Sequence, residues 1–378
     1  MRYLRAFCRV VFALTFILSG ILKLMDPVGT GLIVKEYFDF LHLGFLEPLA
    51  VAAGIGLSTL EFTVGVSVLL GLQMNFFAWV GLVMTSVFTL LTLYLAIFNP
   101  ISDCGCFGEA IHLTNTQTFL KNVVLLVLIL VIFFGRKKAT KIAPGFLQWI
   151  FVGLFALLGS SISLHTVTHI PLIDFTAYRV GTNLADTGAG QARYETVFVY
   201  EKDGVEKTFA LEDIPDESWT FVDSKTKLIE GSTKMAQVDF ELDRTEGPVF
   251  AVTVYDPDRI SEKRAQQIRA FCSRVALAGG EARVYGPSYD YEYVSDRKSL
   301  MTLNRSNGGV VFFYDGVIVR KWCARHIDRI DAARMLGSDP DVVVIKQRIG
   351  QQFFVSSLLL GILVLALVLR YLCRMFSK

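Results

Sequence analysis

Six stretches of this sequence are each apolar enough, and long enough, to cross a bilayer. They lie at roughly 6–25, 48–71, 76–98, 118–135, 146–165 and 352–369. A hydrocarbon core about 30 Å thick asks for about 20 such residues in a helix. Inside it every backbone N–H and C=O must find a partner within the protein, and an apolar run of this length does so as a helix. Composition agrees: 53% of the residues are hydrophobic and 19% charged, against about 25% charged in a soluble chain. A simple soluble enzyme and a disordered protein are both excluded. Six cysteines among 378 residues are too few for a disulfide-built scaffold.

Basic residues orient the helices. The first run follows Arg2, Arg5 and Arg9 as a secretory signal would, but Lys23-Leu24-Met25-Asp26-Pro27 offers no small-residue cleavage site. It is therefore expected to stay as a helix. Arg136, Lys137, Lys138 and Lys141 lie between the fourth and fifth runs, and Arg370, Arg374 and Lys378 follow the sixth. With six spans these three basic segments share one side, the cytoplasmic one. The opposite loops carry Asp26, Glu36, Asp39, Glu47, Asp103 and Glu109. Both termini are thus expected in the cytoplasm of a bacterium, with the protein in its inner membrane and residues 170–350 outside the cytoplasm. That last segment holds 24 Lys and Arg against 28 Asp and Glu. It has no basic stripe, so nucleic acid is not an expected partner. The expected partners are the lipid bilayer and an extracytoplasmic protein.

The loops add detail. Leu72-Gln73-Met74-Asn75 makes a tight hairpin between the second and third spans. Asn99-Pro100 stops the third, because proline lacks the N–H and restricts the residue before it. Thr114, Asn115 and Thr116 offer caps for the fourth. Cys104 and Cys106 therefore sit at the outer membrane face, just before a helix. On that side disulfides persist. A Cys-x-Cys pair closes only a small, strained ring, and strained, exposed disulfides are the more oxidising ones. The same pair also reads as a plain loop clamp or as two thiols. Zinc is the weaker option, since His112 adds one ligand and no fourth is evident.

Glu61 lies near the middle of the second span. A carboxyl in hydrocarbon usually faces the bundle interior or a polar cavity. It reads either as a proton carrier or quinone contact, or as a structural hydrogen-bonding group meeting Ser58, Ser19 or Asn122. Lys23, nearer the outer surface, is expected to snorkel into the interface. The glycines of span two, Gly54, Gly56, Gly65 and Gly71, allow close helix packing.

Three segments together resemble the DoxX-like membrane proteins: Ser19-Gly20-Ile21-Leu22-Lys23, Glu61 with Gly65, and Asp103-Cys104-Gly105-Cys106-Phe107-Gly108. The last resembles MauE, the methylamine-utilisation membrane protein. The resemblance covers about residues 1–140 and implies a four-helix membrane bundle. For MauE it implies a role in maturing a disulfide-bearing partner alongside a thioredoxin-like protein. The wider DoxX group includes a subunit of a quinone-linked oxidoreductase. A link to methylamine metabolism would rest on the family name alone.

Beyond the fifth span, Pro171 and Asp174 to Gly181 read as a linker. Tyr194–Tyr200 and Val205–Leu211 read as strands joined by a turn at Lys202-Asp203-Gly204. From about 236 the order becomes that of a thioredoxin-like domain. Gln237 to Phe240 with Gly247 lead in, and Val249–Tyr255 is a buried strand. Ser261 caps a helix to Leu277 with Ile268, Phe271, Cys272 and Val275 on one face. Ala282–Tyr285 is the next strand, and Gly309–Arg320 a hairpin across Asp315-Gly316. The domain is degenerate: Asp256 to Ser261, where Cys-x-x-Cys would stand, has no thiol, and Gly308 replaces the usual cis-proline. Cys272 and Cys323 read as a staple, as buried thiols, or as helpers of the membrane pair, with the first two favoured. His165 and His169, one helical turn apart, lack an evident third ligand and read as interface polarity. Cys8 and Cys373 carry no supported lipidation signal.

The expected fold class is a mainly α membrane protein with an α/β thioredoxin-like extracytoplasmic domain. Its parts are a four-helix domain (1–140), a fifth transmembrane helix (145–168), a lead-in subdomain (170–235), a degenerate thioredoxin-like domain (236–349) and a C-terminal transmembrane helix (350–372). Two functional readings follow. One is a factor in extracytoplasmic thiol–disulfide handling or partner maturation; as an enzyme it would be a quinone-linked oxidoreductase using Cys104, Cys106 and Glu61. The other is an envelope scaffold whose degenerate domain binds a partner. Transport is disfavoured, as no inverted repeat or charged pathway is visible.

Overall fold

Apolar runs become helices where the sequence also supplies stops and caps. In a computed structural model the first elements are α1 (Arg2–Met25), α2 (Pro27–Phe40), α3 (Ala50–Leu70), α4 (Met74–Phe98), the short strand β1 (Cys106–Glu109), α5 (Asn115–Gly135) and α6 (Gly145–Thr168). The structure describes residues 2–99, 105–111, 113–138, 144–171, 173–184, 193–202, 205–209, 219–230, 246–288 and 290–375. Asn99 ends α4 in the left-handed region at φ 47°. Thr114 begins α5 with a reciprocal capping box: its hydroxyl accepts from Gln117 N–H, and the Gln117 side chain accepts from Thr114 N–H. Among the described residues, five helical stretches are long and apolar enough to span a membrane. The chain is a multi-pass membrane protein.

Helices α1, α3, α4 and α5 form a bundle, and α6 packs against α1 and α3. Small residues set the α1–α3 approach. A Cβ on Gly65 would lie 2.8 Å from the backbone N of Ile17, and one on Gly20 2.7 Å from that of Phe62. Without a hydrophobic drive between helices in lipid, such close contact supplies the packing energy. Gly65→Ala should therefore lower bundle stability by about 1–3 kcal/mol. Gly56→Ala, on the same helix with nothing within 4 Å, should not. Thermal unfolding of the two variants in lipid nanodiscs checks the contrast.

The acidic loop after α1 is more structured than the sequence suggested. Asp26 caps α2, its Oδ1 accepting from Gly29 N–H at 2.9 Å, and Pro27 occupies the first helical turn, where its missing N–H costs nothing. Helix α2 packs on α3 and along β1.

The second half of the chain holds two sheets. Strands β2 (Arg193–Lys202), β3 (Val205–Phe209) and β4 (Thr220–Glu230) form an antiparallel sheet in the order β3-β2-β4. The expected hairpin thus gains a third strand; its turn at 203–204 lies outside the described residues, as do Gln237 to Phe240. Next come β5 (Pro248–Thr253), α7 (Glu262–Leu277), β6 (Glu281–Gly286), β7 (Tyr293–Val294), α8 (Arg297–Leu303), β8 (Gly309–Tyr314), β9 (Val317–Trp322) and α9 (Ala332–Leu336). Their sheet runs β7-β6-β5-β8-β9, with β5 parallel to β6 and antiparallel to β8. Ser261 caps α7 through Arg264 N–H. Phe250, Phe271, Phe312 and Phe313 fill the core.

Two expectations are corrected. The presumed linker is part of this sheet domain: Tyr178, Val180 and Leu184 enter its core, Gly181 N–H donates to Ile318 O, and Asp174 meets buried Lys321 at 2.6 Å. Apolar residues too widely spaced to signal an element supply that anchoring. The position 349–350, expected to separate the sheet domain from the last apolar stretch, lies inside one continuous helix. Helix α10 (Pro340–Met375) runs for 36 residues, from Val343 and Val344 packed on the sheet domain through the whole sixth apolar stretch.

Candidate functional site

Glu61 comes from α3 and Lys23 from the last turn of α1; the close α1–α3 packing sets them face to face. Lys23 Nζ donates to Glu61 Oε1 at 3.0 Å and Oε2 at 2.9 Å. Their side chains are 8% and 4% exposed, so the pair is buried. The expected snorkelling of Lys23 is overturned, because a buried carboxylate holds its ammonium inward. Ser19 Oγ lies 3.0 Å from Glu61 Oε2 and 2.6 Å from the carbonyl oxygen of Cys106. One hydroxyl thus bridges the ion pair and the cysteine loop. Of the partners foreseen for Glu61, Ser19 is in place. Ser58 instead donates to Gly54 O, and Asn122 to Thr92 Oγ1 and Phe88 O.

These groups face a cavity of about 130 Å3. Its polar wall includes Ser19, Lys23, Glu61 and Asn122; Phe16, Leu57 and Phe88 belong to its apolar wall, and Gly105 and Cys106 close one side. Gly105 has φ +64°, and a Cβ there would run into Ile33 of α2. Glycine is needed at that turn for both reasons. Phe107 is buried under the Lys121 ammonium, 4.6 Å from the ring centroid. Cys106 is half-buried; Cys104 and His112 lie outside the described residues. Among the described residues no group of three or more His, Cys, Asp or Glu is placed to hold a metal.

The sheet domain meets the bundle through charges that the sequence reading missed. Arg305, 2% exposed, donates to Asp26 Oδ2 from Nη2 at 2.8 Å and from Nε at 3.2 Å. Lys298 meets Glu36 at 2.6 Å, and Arg297 lies 3.8 Å from Glu47. Asn307 closes the segment where a Cys-x-x-Cys would stand: its Oδ1 accepts from Tyr255 and Asp256 N–H, and its Nδ2 donates to Asp256 O at 2.7 Å. Gly308 follows at φ +78°.

The other candidates separate. Cys272 and Cys323 are not joined. Burial pushes the Cys272 thiol up, which keeps it protonated and unreactive. Cys323 Sγ lies 3.4 Å from His326 Nδ1, and the His326 ring sits 5.8 Å from that of His169, itself stacked on His165 at 4.1 Å. The two helix histidines therefore do have a thiol and a third imidazole nearby, though not in a metal-binding arrangement. His326 is held below the ordinary histidine value by burial first, then by Arg329, His169 and Arg325.

Residues 1–135 match the family model described as methylamine utilisation protein MauE. Residues 194–231, covering β2 to β4, match a domain of unknown function, DUF8463. Protein TlpB of Flavobacterium psychrophilum is 27% identical over 144 residues, which is 36% of this chain and 38% of that protein. The match thus spans under two-fifths of that relative. No solved structure matches the chain.

Proposed function

We propose that this protein handles disulfides of partner proteins on the outer side of a bacterial inner membrane, with Cys104 and Cys106 as the exchanging pair. One observation carries the reading: Cys106 and the Ser19–Lys23–Glu61 cluster line a single cavity. As a disulfide, the pair would take two electrons and two protons from a client dithiol, which becomes the disulfide. To act again, the pair must lose two electrons and two protons to an acceptor. A quinone, when bound, supplies a two-electron, two-proton acceptor. The lining chemistry suits such a ring: Phe16, Leu57 and Phe88 are apolar, and the Lys23 ammonium is a donor of the kind that binds a carbonyl oxygen. Glu61 would hold the proton in transit, and the Ser19 hydroxyl, against the Cys106 carbonyl oxygen, would hold the cysteine loop beside it.

The sheet order β7-β6-β5-β8-β9 supports a thioredoxin-like assignment for the second half, and the missing thiols between Asp256 and Ser261 favour a binding role for it. The scaffold reading keeps that role and makes the loop cysteines structural. Replacing Cys104 or Cys106 singly with Ser in cells should trap mixed disulfides with clients at normal expression. Mass-tag alkylation of the native pair should show a redox state that shifts on respiratory inhibition. A pair locked in one state throughout, with variants affected only in stability, would leave the scaffold reading.

A further inference from the structure

Helix α2 stands between the two halves of the molecule. On one side it forms a wall of the cavity through Thr30, Ile33, Val34 and Tyr37, and Ile33 packs against Gly105, the residue between the two loop cysteines. On the other side it is gripped by the sheet domain. Asp26 at its N-terminus takes Arg305, and Glu36 near its C-terminal end takes Lys298. The grip is tightest at Asp26. Its Oδ1 caps the helix while its Oδ2 takes the guanidinium, so one carboxylate both starts α2 and fastens it. Gly29 lets the guanidinium close in: a Cβ there would lie 2.8 Å from Arg305 Nη2. Arg305 itself is fixed, since Nη1 donates to Met301 O at 3.1 Å and its own carbonyl accepts from the Tyr255 hydroxyl.

The gripping residues belong to one end of the sheet domain. Arg305 lies two residues before Asn307, which closes the Asp256 segment, and Arg297 reaches Asp256 as well as the Glu47 side. From this end of the sheet domain Arg305 and Lys298 reach α2, while Asp258 and Arg259 beside the Asp256 segment stay exposed.

We propose that α2 is a lid on the cavity containing Cys106, held closed by the sheet domain with the buried Asp26–Arg305 pair as its latch. Anything that draws the sheet domain away releases both ends of α2 and uncovers the cysteine loop. This holds whether or not the cysteines are redox-active, so its test uses no activity.

The test uses the full chain in lipid nanodiscs with Cys106 as its sole cysteine. The rate of modification by a water-soluble maleimide is measured with Arg305 and with Arg305→Gln. A second protein with Cys323, 1% exposed in the sheet domain, as sole cysteine reports that domain's integrity. The latch predicts at least tenfold faster modification of Cys106 with that of Cys323 unchanged. Lys298→Glu, which sets a carboxylate against Glu36 on the surface, should also speed Cys106, and adding Glu36→Lys should restore the slow rate. If Arg305→Gln fails to fold, this exposed pair decides alone. Unchanged Cys106 rates in folded variants, or rates that rise only together with those of Cys323, would overturn the proposal.

Discussion

Lys23→Met should destabilise the helical bundle by about 3–5 kcal/mol, the usual result of stranding one charge of a buried pair. Among the described residues, the carboxylate of Glu61 would keep the Ser19 hydroxyl alone, in a site 3% exposed. Removing both charges should cost far less, since the desolvation of two ions disappears with their attraction. The double variant Lys23→Met, Glu61→Gln should therefore regain most of the lost stability. Thermal unfolding in nanodiscs, followed by tryptophan fluorescence, measures all three proteins. A Lys23→Met protein as stable as the parent would mean that the ammonium reaches water after all. Under the disulfide-handling proposal the double variant has a second use: folded but without the Lys23–Glu61 pair on the cavity wall, it should keep its structure and lose turnover of the cysteine pair.

Phe250→Ala should cost the sheet domain about 3–5 kcal/mol. Phe250 is fully buried on the central strand β5, with ring contacts to Phe312 at 4.6 Å and Phe271 at 5.6 Å between centroids. Its removal opens a void between α7 and the sheet that neither can fill without breaking strand pairing. The bundle has its own buried clusters, so protease should cut residues 246–336 of the variant at temperatures where the first five apolar helices stay protected. Equal protease resistance of variant and parent would show that the void collapses at little cost.

Much of this architecture was legible in the residues. Apolar runs of span length become helices because no other conformation satisfies an isolated backbone in hydrocarbon. Asn99 and Thr114 marked the ends of α4 and α5 by local chemistry, and Ser261 marked the start of α7 in the same way. Alternating and continuous apolar runs marked β5, β6, β8 and β9. Helix α2 was missed because its acids and glycines read as a loop; its buried side is its first turns, Pro27 to Gly31, a face too short to show periodicity.

The candidate site was legible only in part. Glu61 and Cys106 stood out as unusual groups for their surroundings. Lys23 stood out too but was given the wrong direction. A lone intramembrane acid asks for a cation, and the first four spans offer only Arg9, Lys23 and Lys121; that was the available signal. Asp26 and Arg305 had none. They are 279 residues apart, and each alone reads as an ordinary surface charge.

The sequence by itself determined which segments are helices in an apolar medium, where several start and stop, and which strands line the core of the second half. Those are properties of neighbouring residues: hydropathy, period, and capping within one turn. Only the tertiary structure decided that Lys23 turns inward to Glu61, that Ser19 links that pair to the cysteine loop, and that the sheet domain closes on α2. Each of these is a pairing between distant segments. Its energy comes from removing opposite charges from water together, and which charges are removed together depends on how the helices and the sheet pack.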